Sequence, residues 1–325
     1  RLQNLVDFTY NQIMKKVAII GGSGFIGSYV TKIFLEHDFE VKVSATDISR
    51  EDKYQHLMSF KNAENLYISE LNVTDKATLT DFVADCDIVI HGGTPFMLDV
   101  ENPQAQLFDP TIKGTENFLD VVSHTPGIEK VVFIASVAGY NTDFPMPAGG
   151  KSFTDTFDEN DTRYKSEASH PYAQAKFIAN QVVEKFIQDH ANLPFEICTV
   201  SPVGVMGKSL SNREDSTSTG LQFLIKNKIA PNDFIQAIYD NDVPFALVDV
   251  ADVAQAIFNA ATAKGLHGKD YLLASETYKA SDMHEMLNLR EPKEKGLIIY
   301  KNDLAKKDLN MTFKPAKESL NNFSK

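Results

Sequence analysis

A chain that passes from an apolar run into a helical pattern through Gly21-Gly22-Ser23-Gly24-Phe25-Ile26-Gly27 has few folds open to it. The run before this loop, Lys16–Ile20, is short, apolar and bounded by glycine, which reads as a strand. The run after it places Tyr29, Val30, Ile33, Phe34 and Leu35 at helical spacing. Gly21, Gly24 and Gly27 therefore form GxxGxxG at a strand-to-helix turn. In that context Gly21 permits the tight turn, Gly24 lets a pyrophosphate approach the backbone, and Gly27 lets the helix pack on the strand. The helix N-terminus adds unpaired amides and a partial positive charge for phosphate. Gly21, Ser23, Gly24, Phe25, Ile26 and Gly27 are accordingly expected to bind a dinucleotide.

The alternation continues downstream. Strands are expected at 41–45, 66–68, 88–91, 131–135 and 195–200, with helices at 27–37, 74–83, 110–122 and 173–190 between them. Strands alternating with helices imply parallel strands joined by helical crossovers, and continuous apolar runs such as VVFIA imply a sheet covered on both faces. The expected fold is α/β, a doubly wound parallel sheet, with ligands beyond the carboxyl ends of its strands. After residue 200 the pattern loosens. Residues 209–220 read as a polar, mobile loop, followed by helices at 221–227, 249–263 and 281–287 and strands at 245–248 and 271–274. We expect an extension over 1–13, a dinucleotide domain over 14–200, and a smaller α/β substrate-binding part over 201–325 that interleaves with it.

Charge and cysteine content narrow the partners. The net charge is −12, from 44 acidic and 32 basic residues, and such a field repels nucleic acid and anionic membranes at long range. No apolar stretch approaches the ~20 residues of a membrane span, and residues 1–13 lack the apolar core of a signal peptide. Cys86 and Cys198 sit beside apolar runs and read as buried thiols, which suits a cytoplasmic protein. No metal-ligand spacing is present. Monomer and homodimer are both open.

Ser136 follows the fifth strand, and Tyr172-Ala173-Gln174-Ala175-Lys176 opens the long helix after it. Residues four apart share a helix face, so the Lys176 ammonium is expected beside the Tyr172 phenol. A cation there would lower the phenol pKa from ~10 and make proton transfer feasible near neutrality, while Ser136 could hold a substrate oxygen. His91 and His170 stand nearest this centre. Phe96, Met97, Phe144 and Met206 are candidate apolar walls. At the end of the second strand, Asp47 lies 20 residues past Gly27, where an acidic residue selects NAD(H), but Arg50 and Lys53 follow it and favour a 2′-phosphate.

With the loop GGSGFIG, Ser136 and YxxxK in hand, the chain resembles an extended short-chain dehydrogenase/reductase of the NAD-dependent epimerase/dehydratase superfamily. It looks closest to the dihydroflavonol 4-reductase-like carbonyl reductases. The likeness runs through His91-Gly92-Gly93-Thr94-Pro95, Glu101-Asn102-Pro103, residues 110–115, Ser201-Pro202-Val203-Gly204-Val205-Met206-Gly207, and segments 245–254 and 309–320, covering residues 14–320. The resemblance implies the Rossmann fold, a small carbonyl or alcohol substrate, and hydride transfer with NADP(H) slightly favoured and NAD(H) open. It implies that Tyr172 protonates the carbonyl oxygen, that Lys176 tunes Tyr172 and holds the nicotinamide ribose, and that Ser136 polarises the carbonyl. It also implies cofactor contacts at Thr46, Asp47, Lys53, Asn72, Val73, Gly92, Gly93, Thr94, Pro202, Val203, Gly204 and Val205. The chain departs from the group at Thr46 (usually arginine, for the 2′-phosphate), Asn72 (usually aspartate), Ala135, Ala175 and Asn180 (usually glutamate). Two rivals share these motifs: a nucleotide-sugar epimerase or dehydratase that recycles its cofactor, and a non-enzymatic NAD(P)-binding protein.

Overall fold

In a computed structural model that describes residues 14–92 and 100–325, Lys16–Ile20 is strand β1, and its period-2 side chains go to opposite faces of one sheet. Val17 and Ile19 enter one core, Ala18 and Ile20 another. Helix α1 (Phe25–Glu36), β2 (Glu40–Ala45), β3 (Leu66–Glu70), α2 (Lys76–Val83), β4 (Ile88–His91), α3 (Asp109–His124), β5 (Lys130–Ile134), α4 (Pro171–Asp189) and β6 (Glu196–Pro202) follow. A short π-helical turn, Gln104–Phe108, runs into α3. Strands β4 and β5 repeat the division: Ile88, Ile90, Val132 and Ile134 face one core, Val89, Val131 and Phe133 the other. The extension 1–13 and residues Gly93, Thr94, Phe96 and Met97 lie outside the described residues.

The remaining elements are β7 (Gly204–Met206), α5 (Thr217–Asn227), α6 (Asp233–Asp240), β8 (Pro244–Asp249), α7 (Val250–Thr262), β9 (Asp270–Leu273), β10 (Thr277–Lys279), α8 (Ala280–Leu287), α9 (Asp303–Asp308) and α10 (Ala316–Ser324). The main sheet has seven parallel strands in the order β3-β2-β1-β4-β5-β6-β9. This is the expected doubly wound fold, and its order reverses between β1 and β4, where a cleft opens beyond the strand ends. One core lies between this sheet and α1 and α7, the other between it and α2, α3 and α4. The chain beyond residue 200 thus returns to the main sheet through β9, which pairs with β6.

A second sheet, β10-β8-β7, carries a third core. Phe245 and Leu247 of β8 point into that core with Met206, Ile225, Ile238 and Met286, while Ala246 and Val248 point back toward α7. This second sheet is therefore joined to the larger one through alternate side chains of β8 and of β7, where Val205 and Met206 divide in the same way. Among the described residues no helix is long and apolar enough to cross a membrane.

Candidate active site

The glycine loop is closed on itself. Gly24 N–H donates to Gly21 O at 3.1 Å and Ser28 N–H to Gly24 O at 2.9 Å. Gly21 has φ +80°, and a Cβ on Gly27 would lie 2.0 Å from Gly21 O, so no side chain fits there. Thr31, buried, donates its hydroxyl to Gly22 O and ties the loop to α1. The N-cap of α1, Gly24, has no side-chain capping bond, and the first turn has no acidic residue. The loop and helix end therefore suit a diphosphate: backbone close by, positive dipole end, no side-chain oxygen or carboxylate of that turn competing. Gly92, after β4, donates its N–H to Ile20 O and brings the two strand ends together at the topological switch.

At the end of β2, Thr46 and Asp47 are exposed. Asp47 Oδ1 accepts from Ser49 N–H (2.9 Å) and Ser49 O–H (2.6 Å), and these bonds hold its carboxyl below the usual range. Arg50 pairs with Asp52 at 2.9 Å. Lys53 reaches toward Asp215, 3.3 Å away, in the segment before α5. That segment, residues 208–216, overlaps the stretch 209–220 that reads from sequence as a mobile loop, of which 217–220 form the start of α5. The structure instead hooks it across the glycine loop. Tyr29 O–H donates to Lys208 O at 2.7 Å, and Arg213 Nη1 donates to Ser23 O and to Lys53 O at 3.2 and 3.3 Å. Arg213 also grips Asp215 through Nε and Nη2 and, with Lys53, pulls that carboxyl to about 2. Neither Arg213 nor Asp215 stands out in sequence, where the one signal is a lone basic residue inside a Ser- and Thr-rich stretch.

Asn72 Oδ1 accepts from Thr74 N–H and O–H and shapes the turn into α2, while Val73 packs partly into the second core. On the other side of the cleft, Pro202 ends β6, and Val203 and Val205 turn their side chains into the core. Gly204 opens β7, and a Cβ on it would lie 3.0 Å from Ala246 O of β8. Met206 is 1% exposed in the third core and is not a pocket wall. Phe144 packs edge-on against Phe245 and Tyr300.

Ser136 caps a short 3₁₀ turn, Val137–Gly139, its Oγ accepting from Ala138 N–H at 3.1 Å. The hydroxyl proton of Ser136 remains to donate. Tyr172 sits in the first turn of α4, whose cap is His170: the imidazole Nδ1 accepts from Tyr172 N–H at 3.2 Å. His170 thus acts on the helix end that carries Tyr172. One turn on, the buried Lys176 ammonium lies over the Tyr172 ring, 5.5 Å from its centroid. The expected fall in the phenol pKa does not occur. Burial raises Tyr172 to about 12 and lowers Lys176 to about 8, because both groups lose water. At neutral pH the phenol is protonated and the lysine largely charged.

His91 packs between Phe118 and Phe133, with burial and the nearby Lys176 pushing it down to about 4. It is a neutral core histidine. It lines, with Lys176, Ala135, Val73, Thr111 and Thr115, a cavity of about 170 Å³ between the sheet and helices α2–α4.

Behind Lys176, α4 is fixed by one carboxylate. Asp270 Oδ2 accepts from Asn180 Nδ2 (2.9 Å) and Arg163 Nη2 (3.1 Å), and its Oδ1 from Ser201 O–H (2.8 Å). Arg163 also donates to Gly139 O in the Ser136 turn and stacks over the Tyr140 ring at 4.2 Å. The departure at Asn180 is thereby explained. An amide donates to Asp270, where a glutamate would place a second carboxylate beside it.

Comparison with known proteins is consistent with this geometry. The family model described as "NAD dependent epimerase/dehydratase family" matches residues 17–274. Cinnamoyl-CoA reductase CAD2 of Medicago truncatula is 28% identical over 258 residues, covering 77% of this chain and 74% of that protein. An anthocyanidin reductase of Vitis vinifera is 24% identical over 295 residues, 88% and 84% of the two chains. In fold, the yeast methylglyoxal/isovaleraldehyde reductase Gre2, solved in complex with NADPH, superposes with a TM-score of 0.78 at 21% identity, covering 95% of this chain and 97% of that one.

Proposed function

The chain belongs to the NAD dependent epimerase/dehydratase family, and from that premise we propose that it is a carbonyl reductase that prefers NADP(H), with Tyr172 as the general acid. The observation that carries this reading is the buried Lys176 ammonium over the Tyr172 ring, in the turn of α4 that follows the Ser136 strand end. The proposal is supported by relatives named as reductases and by a glycine loop whose free helix end fits a dinucleotide diphosphate.

A nicotinamide dinucleotide held at the glycine loop Gly21–Gly27 would, when bound and reduced, supply the hydride for the carbonyl carbon. The residues of this chain manage the oxygen. Ser136 donates its hydroxyl hydrogen to the carbonyl oxygen and polarises it. Tyr172, a phenol protonated at neutral pH and kept so further into base by burial, gives up its phenolic proton to that oxygen as charge develops there. The phenolate left behind is stabilised by the Lys176 ammonium, an attraction that burial strengthens. The product is an alcohol, and in reverse the same groups take the proton back.

A preference for NADP(H) is supported at the β2 end. The Asp47 carboxylate, which would select NAD(H), is turned onto Ser49, while Lys53 reaches Asp215 of the segment that crosses the glycine loop. Tyr172→Phe is the direct test. It should retain NADPH binding by calorimetry but lose about 10²–10⁴-fold in kcat on aldehydes and ketones. Full activity in that variant would remove Tyr172 from the chemistry.

A further inference from the structure

Residues 53, 213 and 215 form an anion site already holding an anion. The Asp215 carboxylate is taken bidentate by Arg213, from Nε to Oδ1 at 3.0 Å and from Nη2 to Oδ2 at 2.6 Å, and Lys53 Nζ approaches Oδ2 at 3.3 Å. Two cations around one set of oxygens is the arrangement that also fits phosphate, whose edge matches the guanidinium fork. The site's position is set by two backbone bonds. Arg213 Nη1 donates to Ser23 O in the glycine loop and to Lys53 O in the loop after β2. In a GxxGxxG fold those two loops flank the adenosine ribose. The other charged groups at this corner are spoken for: Arg50 by Asp52, Asp47 by Ser49. Thr46 brings no charge.

The geometry points to Arg213 as the second cation for the adenosine 2′-phosphate, with Asp215 a built-in placeholder that the phosphate displaces from Arg213 and Lys53. This inference rests on the NADP(H) reading above and extends it to residues of the 208–216 segment. The exchange is favourable in charge, since a phosphate monoester carries about −1.5 to −2 near neutrality against −1 for Asp215. It costs Asp215 little, because its side chain is 49% exposed and returns readily to water. Arg213 is the better-placed partner: its side chain is 25% exposed and its Nη1 bonds fix its plane before the ligand arrives. The segment is itself anchored where it begins, by Tyr29 on Lys208 O and by buried Gln222 of α5, which bonds Gly207 N–H and O. Arg213 and Asp215 therefore reach Lys53 and the glycine loop from the second half of the chain, and bring a cation to a corner where Thr46 brings none.

The test uses the intact chain and two fragments of the cofactor, adenosine 2′,5′-bisphosphate and 5′-AMP, by titration calorimetry, since the chain has no tryptophan to report binding. The wild type should prefer the bisphosphate. Arg213→Ala should weaken the bisphosphate about tenfold or more while 5′-AMP stays within about twofold. Arg213→Lys should recover part of the loss, and Asp215→Asn should tighten the bisphosphate severalfold by removing the competitor. If the wild type prefers the bisphosphate but Arg213→Ala binds it as tightly, or loses both ligands equally, the role of Arg213 is wrong and the NADP(H) reading survives. Unchanged or weaker bisphosphate binding by Asp215→Asn rejects the placeholder. If the wild type shows no preference, the NADP(H) reading itself fails and this inference with it.

Discussion

Replacing Lys176 by methionine should make the cofactor-free protein more stable while abolishing its activity. The lysine is 7% exposed, and burial holds its pKa at about 8 against an ordinary 10.5. A depression of about two and a half pH units, at 1.36 kcal/mol each, corresponds to about 3 kcal/mol of unfavourable charge burial when the group is protonated in both states. The sign follows from linkage. The folded pKa lies below the unfolded one, so the penalty is complete below pH ~8, shrinks as pH rises from 8 toward 10.5, and is gone above that. Methionine matches the length of lysine, carries no charge, and borders the 170 Å³ cavity, which leaves room for its sulfur. Urea unfolding of wild type and Lys176→Met should therefore show the variant more stable by about 1–3 kcal/mol at pH 7, with the gap closing by pH 10. A variant that is less stable at pH 7, or a gap that does not change with pH, would refute the reasoning: the ammonium would then be compensated in the folded protein rather than held there for its chemistry.

Two further substitutions probe the frame around the site. Asn180→Asp puts a second carboxylate against Asp270, whose side chain is 13% exposed; we expect a loss of about 2–4 kcal/mol at pH 7 by denaturant unfolding, narrowing as acid neutralises the added group. Gly27→Ala forces a Cβ to within 2.0 Å of Gly21 O and should abolish nucleotide binding in calorimetry while costing about 1–3 kcal/mol of stability.

The parts of this fold that read from sequence are those whose causes are local. The glycine loop, β1 and β4 stand where GxxGxxG and the flanking apolar runs put them, because a turn, a strand and a helix start are each specified within a few residues. The three-residue strands β7 and β10 are too short for a period to show and exist through pairing with β8; helix α6 is absent from the expected elements although Asn232 caps it and Ile235 and Ile238 lie one turn apart on its buried side. The YxxxK spacing correctly brings Lys176 to Tyr172, yet the sign of the phenol shift depends on how much water both groups lose, which spacing does not encode. Arg213 is 190 residues from Ser23, and its meaning appears only when the 208–216 segment crosses the cleft. Asn180 likewise looks like a departure until Asp270 arrives from β9, 90 positions away.

The central claim is net carbonyl reduction, and the most direct measurement is the fate of reduced cofactor over a panel of aldehydes and ketones, with NADPH and NADH in parallel and Tyr172→Phe as control. The account predicts stoichiometric loss of NADPH with alcohol formed, a smaller rate with NADH, and neither in the variant. Tight cofactor binding with no net oxidation on any carbonyl, together with interconversion of a nucleotide sugar, would contradict it and make the protein an internally recycling epimerase or dehydratase.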